Sequence, residues 1–164
     1  MKMRKGFTLV ELLIVIVIIG ILAAAMLLSS GSATASAEAS NIVNNLRSLK
    51  SASVMFYADS MDYVAQNNGG IGTATIDNLK DYTDNPDKFK SGEGYLFAAS
   101  GNKWYVGVDL AQLKMSSKVA DVVNKLEGKA KSLVLYGTAA AGTLPTGGTP
   151  AVPSSSTVVW MAAR

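Results

Sequence analysis

Residues 7–28 read Phe7-Thr8-Leu9-Val10-Glu11-Leu12-Leu13-Ile14-Val15-Ile16-Val17-Ile18-Ile19-Gly20-Ile21-Leu22-Ala23-Ala24-Ala25-Met26-Leu27-Leu28, 22 residues whose one charge is Glu11. As a helix such a run covers roughly 33 Å, enough to cross the hydrocarbon core of a bilayer. In front of it stands Met1-Lys2-Met3-Arg4-Lys5-Gly6, with three cations. A basic flank of this kind stays on the cytoplasmic side and sends the following chain outside. The carboxylate of Glu11 does not fit a plain apolar span, because an ionised group in lipid is costly and calls for a partner.

Three readings compete for this stretch. Ala33-Thr34-Ala35 offers the small-residue pattern of a signal-peptide cleavage site, with Ser36 as the new terminus. Against it, the apolar run is longer than the usual ~7–15 residues and carries a carboxylate. An ordinary membrane anchor accounts for the length and leaves Glu11 unexplained. The third reading rests on the string Lys5-Gly6-Phe7-Thr8-Leu9-Val10-Glu11-Leu12-Leu13. It closely resembles the processing and methylation motif of type IV prepilins and of the pseudopilins of type II secretion.

That resemblance implies a prepilin peptidase that cuts between Gly6 and Phe7 and methylates the new amine of Phe7. It also implies that Glu11 of one subunit meets the Phe7 amine of a neighbour during assembly. The same pair within one chain is the alternative. Either pairing has a physical basis: amine and carboxylate are each expensive to leave alone in lipid, and good geometry offsets that cost. Glu11 also sits in the first turns of its helix, where the dipole favours an anion.

Working outward, the net charge of +3 belongs to the opening hexapeptide; without it, 12 basic residues face 12 acidic ones. The basic balance is therefore a property of the leader, and no specific nucleic-acid partner is expected. The chain has neither Cys nor His. That excludes disulfides, thiol nucleophiles, Cys/His zinc sites and Ser-His-Asp triads. An external domain must hold together by packing, for which the remaining ~135 residues suffice.

Beyond Leu28, Ser29-Ser30-Gly31-Ser32 is a weak spot in the helical pattern, as is Gly20. From Ala33 the pattern turns amphipathic: Ile42, Leu46, Leu49 and Phe56 recur at helical spacing beside Val43 and Tyr57, with Arg47 and Lys50 on other faces. Asn67-Asn68-Gly69-Gly70 is a stop. One helix from Phe7 to about Val64 is expected, roughly 90 Å long if unbroken.

Thr75–Tyr82 suggests a short helix ended by Asn85-Pro86. Gly94–Ala99 and Lys103–Val108 read as strands joined by a turn at Ser100-Gly101-Asn102. Ser116 or Ser117 is the expected cap of a helix carrying Val119, Val122, Val123 and Leu126, with Gly128 past its end. Ser132–Tyr136 and Thr157–Met161 complete the strands. The Gly/Pro/Thr/Ser-rich residues 137–156 read as a long exposed loop.

The expected organisation is a leader over 1–6, a transmembrane and filament-core helix over 7–28, an amphipathic continuation over 29–68 and a globular domain over 69–164. The fold class is α+β, a long helix packed on a small antiparallel sheet, which is the pilin arrangement.

A search for chemistry is negative. Asp77, Asp81, Asp84 and Asp87 are the densest acidic stretch, but Lys80, Lys88 and Lys90 interleave and no EF-hand pattern fits. A solvated mixed-charge surface is the reading there, and Asp59 and Asp62 are expected to be exposed near a helix end. Gly69-Gly70-Ile71-Gly72 lacks the Lys-Ser/Thr of a phosphate loop. The expectation is a structural subunit, not an enzyme, with no metal and no cofactor.

The resemblance implies self-assembly into a helical filament, with prepilin peptidase, an assembly platform and its ATPase as partners. The subunit would sit in the inner membrane before assembly, then in a cell-surface pilus or a periplasmic pseudopilus. A pilus subunit is the first reading and a pseudopilin of secretion or competence the second. An anchored domain that does not polymerise is the third.

Overall fold

The computed structural model describes residues 6–60, 75–100, 103–145 and 148–163. Its frame is one helix of 51 residues, α1 (Leu9–Asp59), roughly 75 Å long. Thr8 starts it with extended backbone, and α1 closes at Asp59, where the Ser60 N–H returns to the Phe56 carbonyl at 2.9 Å. The expected end near Val64 is thus too late, and the Asn67–Gly70 stop lies outside the described residues. The helix passes unbroken through Gly20 and Gly31, and a Cβ on either would meet nothing within 4 Å. The weak spots expected from composition do not interrupt the hydrogen-bond ladder.

The two halves of α1 meet different surroundings. Every described large apolar side chain from Leu9 to Leu27 is exposed, by 49% or more. Among the described residues the first buried apolar side chain is Ala35, followed by Ala39, Ile42, Val43, Leu46, Leu49, Ala52 and Phe56. Arg47 and Lys50 are exposed, as their positions on the wheel require. A stripe with this spacing buries one face and leaves the other to solvent.

Against that stripe packs a four-stranded antiparallel sheet in the order β1-β2-β4-β3, with β1 (Tyr95–Ser100), β2 (Lys103–Asp109), β3 (Leu135–Thr138) and β4 (Val158–Ala162). Side chains alternate across it. Phe97, Trp104, Val106, Val108, Leu135, Val159 and Met161 face α1 in the main core, and Tyr105, Val158 and Trp160 form a second cluster with Leu96 and Tyr136. Ser100 pairs with Lys103, so the β1–β2 hairpin has the expected position; its turn residues lie outside the described ones.

The short helix expected over Thr75–Tyr82 is present as a 3₁₀ helix over Ile76–Tyr82, with Ile76 and Leu79 buried. Three other local expectations need correction. The helix α2 (Val119–Glu127) starts from Lys118, without a side-chain cap from Ser116 or Ser117. Residues 132–133 belong to a helical turn, α3 (Ala130–Leu133), and β3 begins only at Leu135. Between them Val134 takes the left-handed conformation, φ 54°, which costs a β-branched residue about 1–2 kcal/mol and turns the chain from helix into sheet within one residue.

The third correction concerns residues 137–156, which are not a merely exposed loop. Gly137 N–H donates to the Ala151 carbonyl at 2.8 Å, and Val152 and Ser156 are buried. Leu144 and Ala141 pack on the Tyr105–Trp160 cluster. Two tryptophan- and tyrosine-bearing strands expose too much apolar area on their outer face to stay bare, and this segment covers it.

No core residue precedes Ala35 among the described residues, so a chain beginning at Ser32 is expected to fold in water. Circular dichroism and thermal melting check this. A non-cooperative melt with dye-accessible apolar surface would contradict a separable external domain.

Candidate functional site: the N-terminal junction

The sequence places Gly6, Phe7 and Glu11 at the centre of the expected chemistry. Gly6 and Phe7 lie just ahead of α1, outside any regular element, and Phe7 is 84% exposed. The bond between them is thus free of the helical hydrogen-bond ladder, the condition under which a peptidase can draw a chain into extended form. A Cβ at position 6 would meet nothing within 4 Å. Among the described residues no neighbour would clash with a side chain at that position.

Two residues further on, Thr8 and Glu11 form a capping box. The Thr8 N–H donates to Glu11 Oε2 at 2.8 Å, and the Thr8 hydroxyl donates to the same oxygen at 2.7 Å. In return Glu11 N–H donates to Thr8 Oγ1 at 3.2 Å. This arrangement satisfies donors that every helix start leaves open. It also folds the carboxylate back toward its own N-terminus, the end of the chain that cleavage after Gly6 would make positive. The Thr-x-x-Glu spacing is the local signal by which the sequence could have shown it.

A second carboxylate on α1, Glu38, was not singled out by sequence. It accepts the backbone N–H groups of Ser116 and Ser117 at 2.7 and 3.2 Å, tying the segment before α2 to the long helix. Burial raises its pKa, and the Ser116 and Ser117 donors lower it by more, so its carboxyl lies below the ordinary glutamate range. Here the two serines serve as donors to Glu38 instead of caps for α2. No sequence pattern links residues 78 positions apart.

The acidic stretch divides. Asp81, Asp84 and Asp87 are exposed, whereas Asp77 accepts the Ser91 hydroxyl and its N–H at 2.9 Å. Those two bonds, hydroxyl first, hold the Asp77 carboxyl below its usual range. Asp59 is exposed at the end of α1, and Asp62 lies outside the described residues. Among the described residues no three His, Cys, Asp or Glu side chains come together as a metal site would require.

Comparison with known protein families bears on the same segment. The prokaryotic N-terminal methylation motif matches residues 1–27. The chain carries a prepilin-type N-terminus. The match joins the basic hexapeptide, the Gly6-Phe7 junction, Glu11 and the apolar half of α1 into one feature. It is the motif of type IV pilins and pseudopilins, structural and not catalytic proteins, and implies processing by prepilin peptidase and assembly into filaments. Neither the curated proteins nor the solved structures gave a match. A prepilin-type N-terminus on a long helix, half bare and half packed on an antiparallel sheet, fits the pilin fold and a membrane-anchored precursor.

Proposed function

We propose that the protein is a structural subunit of a type IV pilus or pilus-like filament, without catalytic activity. Residues 1–6 form its leader, 7–28 its membrane and filament-core segment, 29–68 the amphipathic continuation and 69–164 the globular domain. The observation that carries this reading is the coincidence of the methylation motif with an apolar helix half that stays exposed among the described residues. Before assembly lipid surrounds that half, and afterwards the same half of other subunits does. Prepilin peptidase cuts between Gly6 and Phe7 and methylates Phe7. Glu11 then partners the Phe7 amine of an adjacent subunit, and a platform protein with its ATPase drives assembly from the inner membrane.

The signal-peptide reading loses support from the fold. Ala35, which that cleavage would place at the cut, is fully buried inside α1. Removing everything before Ser36 would strip that contact from the core. Residues 137–156 pack in part on the outer sheet face, so their composition does not by itself favour a surface fibre. A pseudopilin working in secretion or competence therefore stands beside the pilus subunit as the second reading.

Intact mass tests the maturation step. The membrane or fibre form is expected to comprise residues 7–164 with one added methyl on Phe7. A terminus at Ser36 would support signal peptidase, and an uncut Met1 would support a plain anchor. Microscopy of sheared cell surfaces, with mass identification of the fibre protein, separates pilus from pseudopilus.

A further inference from the structure

Two patches of opposite charge lie on opposite flanks of α1. The first is a groove of about 270 Å³ between α1 and α3, lined by Ser40, Val43, Asn44, Arg47, Lys129 and Leu133. Its charged lining is wholly basic. Arg47 is exposed, and Lys129 Nζ donates to Ser40 Oγ at 3.2 Å. Lys131 on α3 and Lys50 on the next turn of α1 are exposed as well. Among the described residues the one ion pair is Lys90 with Asp87, at 3.6 Å, so none of the described carboxylates is within ion-pair distance of the groove's cations.

The second patch is the ridge formed by the end of the 3₁₀ helix and the turn after it, with Asp81 and Asp84 exposed. Of the lysines nearby, Lys88 Nζ donates to Asn45 Oδ1 at 3.0 Å and Lys90 pairs with Asp87, which leaves Lys80 beside the ridge. Asn45 Nδ2 also donates to the Tyr95 hydroxyl, at 2.6 Å, so the ridge and β1 are fixed to the Asn45 flank of α1. Asn45 and Arg47 are two residues apart in a helix, about 200° around its axis. Groove and ridge therefore face away from each other.

We propose that the basic groove of one copy receives the Asp81–Asp84 ridge of the next copy, ordering the globular domains along the filament. This rests on the filament reading above. Because the two patches differ, each contact leaves one groove and one ridge free, and such a heterologous contact propagates instead of closing on a dimer. The partition of labour is physical. Exposed charges contribute little affinity but select register and exclude wrong partners, while the bare apolar helices supply adhesion.

The cysteine-free sequence makes a clean test possible. In cells lacking the native protein, Asn44→Cys in the groove is combined with Asn85→Cys beside Asp84, leaving every charge in place. Oxidation of fibres is expected to give a ladder of cross-linked multimers, while each single variant gives dimers at most. Arg47→Glu and Asp84→Arg are each expected to lower filament yield roughly tenfold with normal cleaved, membrane-held subunit. Combined, they are expected to restore it to within about twofold. Unchanged yield from both reversals, or a double-cysteine variant that stops at dimers, would overturn the proposal. So would fibres that capture heparin through Arg47 at unchanged yield, which would make the groove a polyanion site. If the unaltered chain forms no filament, the filament reading itself falls, and this contact with it.

Discussion

Glu11→Ala is expected to leave cleavage and membrane insertion intact while filament formation fails. Gly6, Phe7 and the apolar run all survive the substitution, so the leader still presents its junction and the helix still spans lipid. What disappears is the carboxylate that the proposed assembly step sets against an incoming Phe7 amine in a low-dielectric core. Breaking a buried pair of this kind typically costs about 3–5 kcal/mol. That cost recurs with every subunit added. The substitution also removes one half of the Thr8–Glu11 capping box, a loss of about 1 kcal/mol, too small to account for a block at every step. Glu11→Gln separates the two, because an amide oxygen still accepts from the Thr8 N–H and lacks the charge. Yield near zero for both variants points to the ion pair, and rescue by Gln alone points to the cap. The measurement is sheared filament against membrane-retained subunit in cells lacking the native protein. Normal yield from Glu11→Ala would remove the intersubunit role.

Gly107→Val is expected to destabilise the external domain by about 3 kcal/mol, lowering Tm by roughly 10 °C. The expectation runs against strand propensity, on which Val is far better than Gly. Gly107 sits in β2 directly opposite Trp160 of β4. The Trp160 ring lies over it so closely that a Cβ would come within 2.4 to 2.8 Å of three ring atoms. Any side chain there pushes the indole off. Trp160 is 1% exposed and its Nε1–H donates to Thr138 Oγ1 at 3.0 Å. Displacement thus uncovers a large apolar ring and breaks a partly buried hydrogen bond, and it lifts Leu144 and Ala141 with it. Melting of the full chain in detergent measures the loss. Adding Trp160→Leu makes room at position 107, so the double variant is expected to lose less than the sum of the single losses. Additive losses would mean that the two residues do not compete for one space.

The sequence alone determined the long helix and the division of its length. A nearly continuous apolar run over 7–28, broken chiefly by Thr8 and Glu11, and then apolar residues at one face only are local patterns, and a helix repeats them faithfully along its axis. The prepilin-type junction was legible for the same reason, as the Lys5–Leu13 string is contiguous and the Thr8–Glu11 box spans a single turn. Short apolar runs rich in aromatic and β-branched residues placed three strands to within a residue or so. The tertiary structure decided what depends on groups far apart in the chain. Val134 turns left-handed because α3 must hand over to β3 at once, and no local preference of valine suggests it. Ser116 and Ser117 face Glu38 across 78 and 79 residues, so their capping chemistry is spent on α1 and not on α2. The segment 137–156 has the composition of a free loop, yet the aromatic face formed by Tyr105 and Trp160 folds it down. A glycine in a strand looks like a weakness until the ring that occupies its place is known. Periodicity reports which face of an element is buried; only the assembled chain reports what it is buried against.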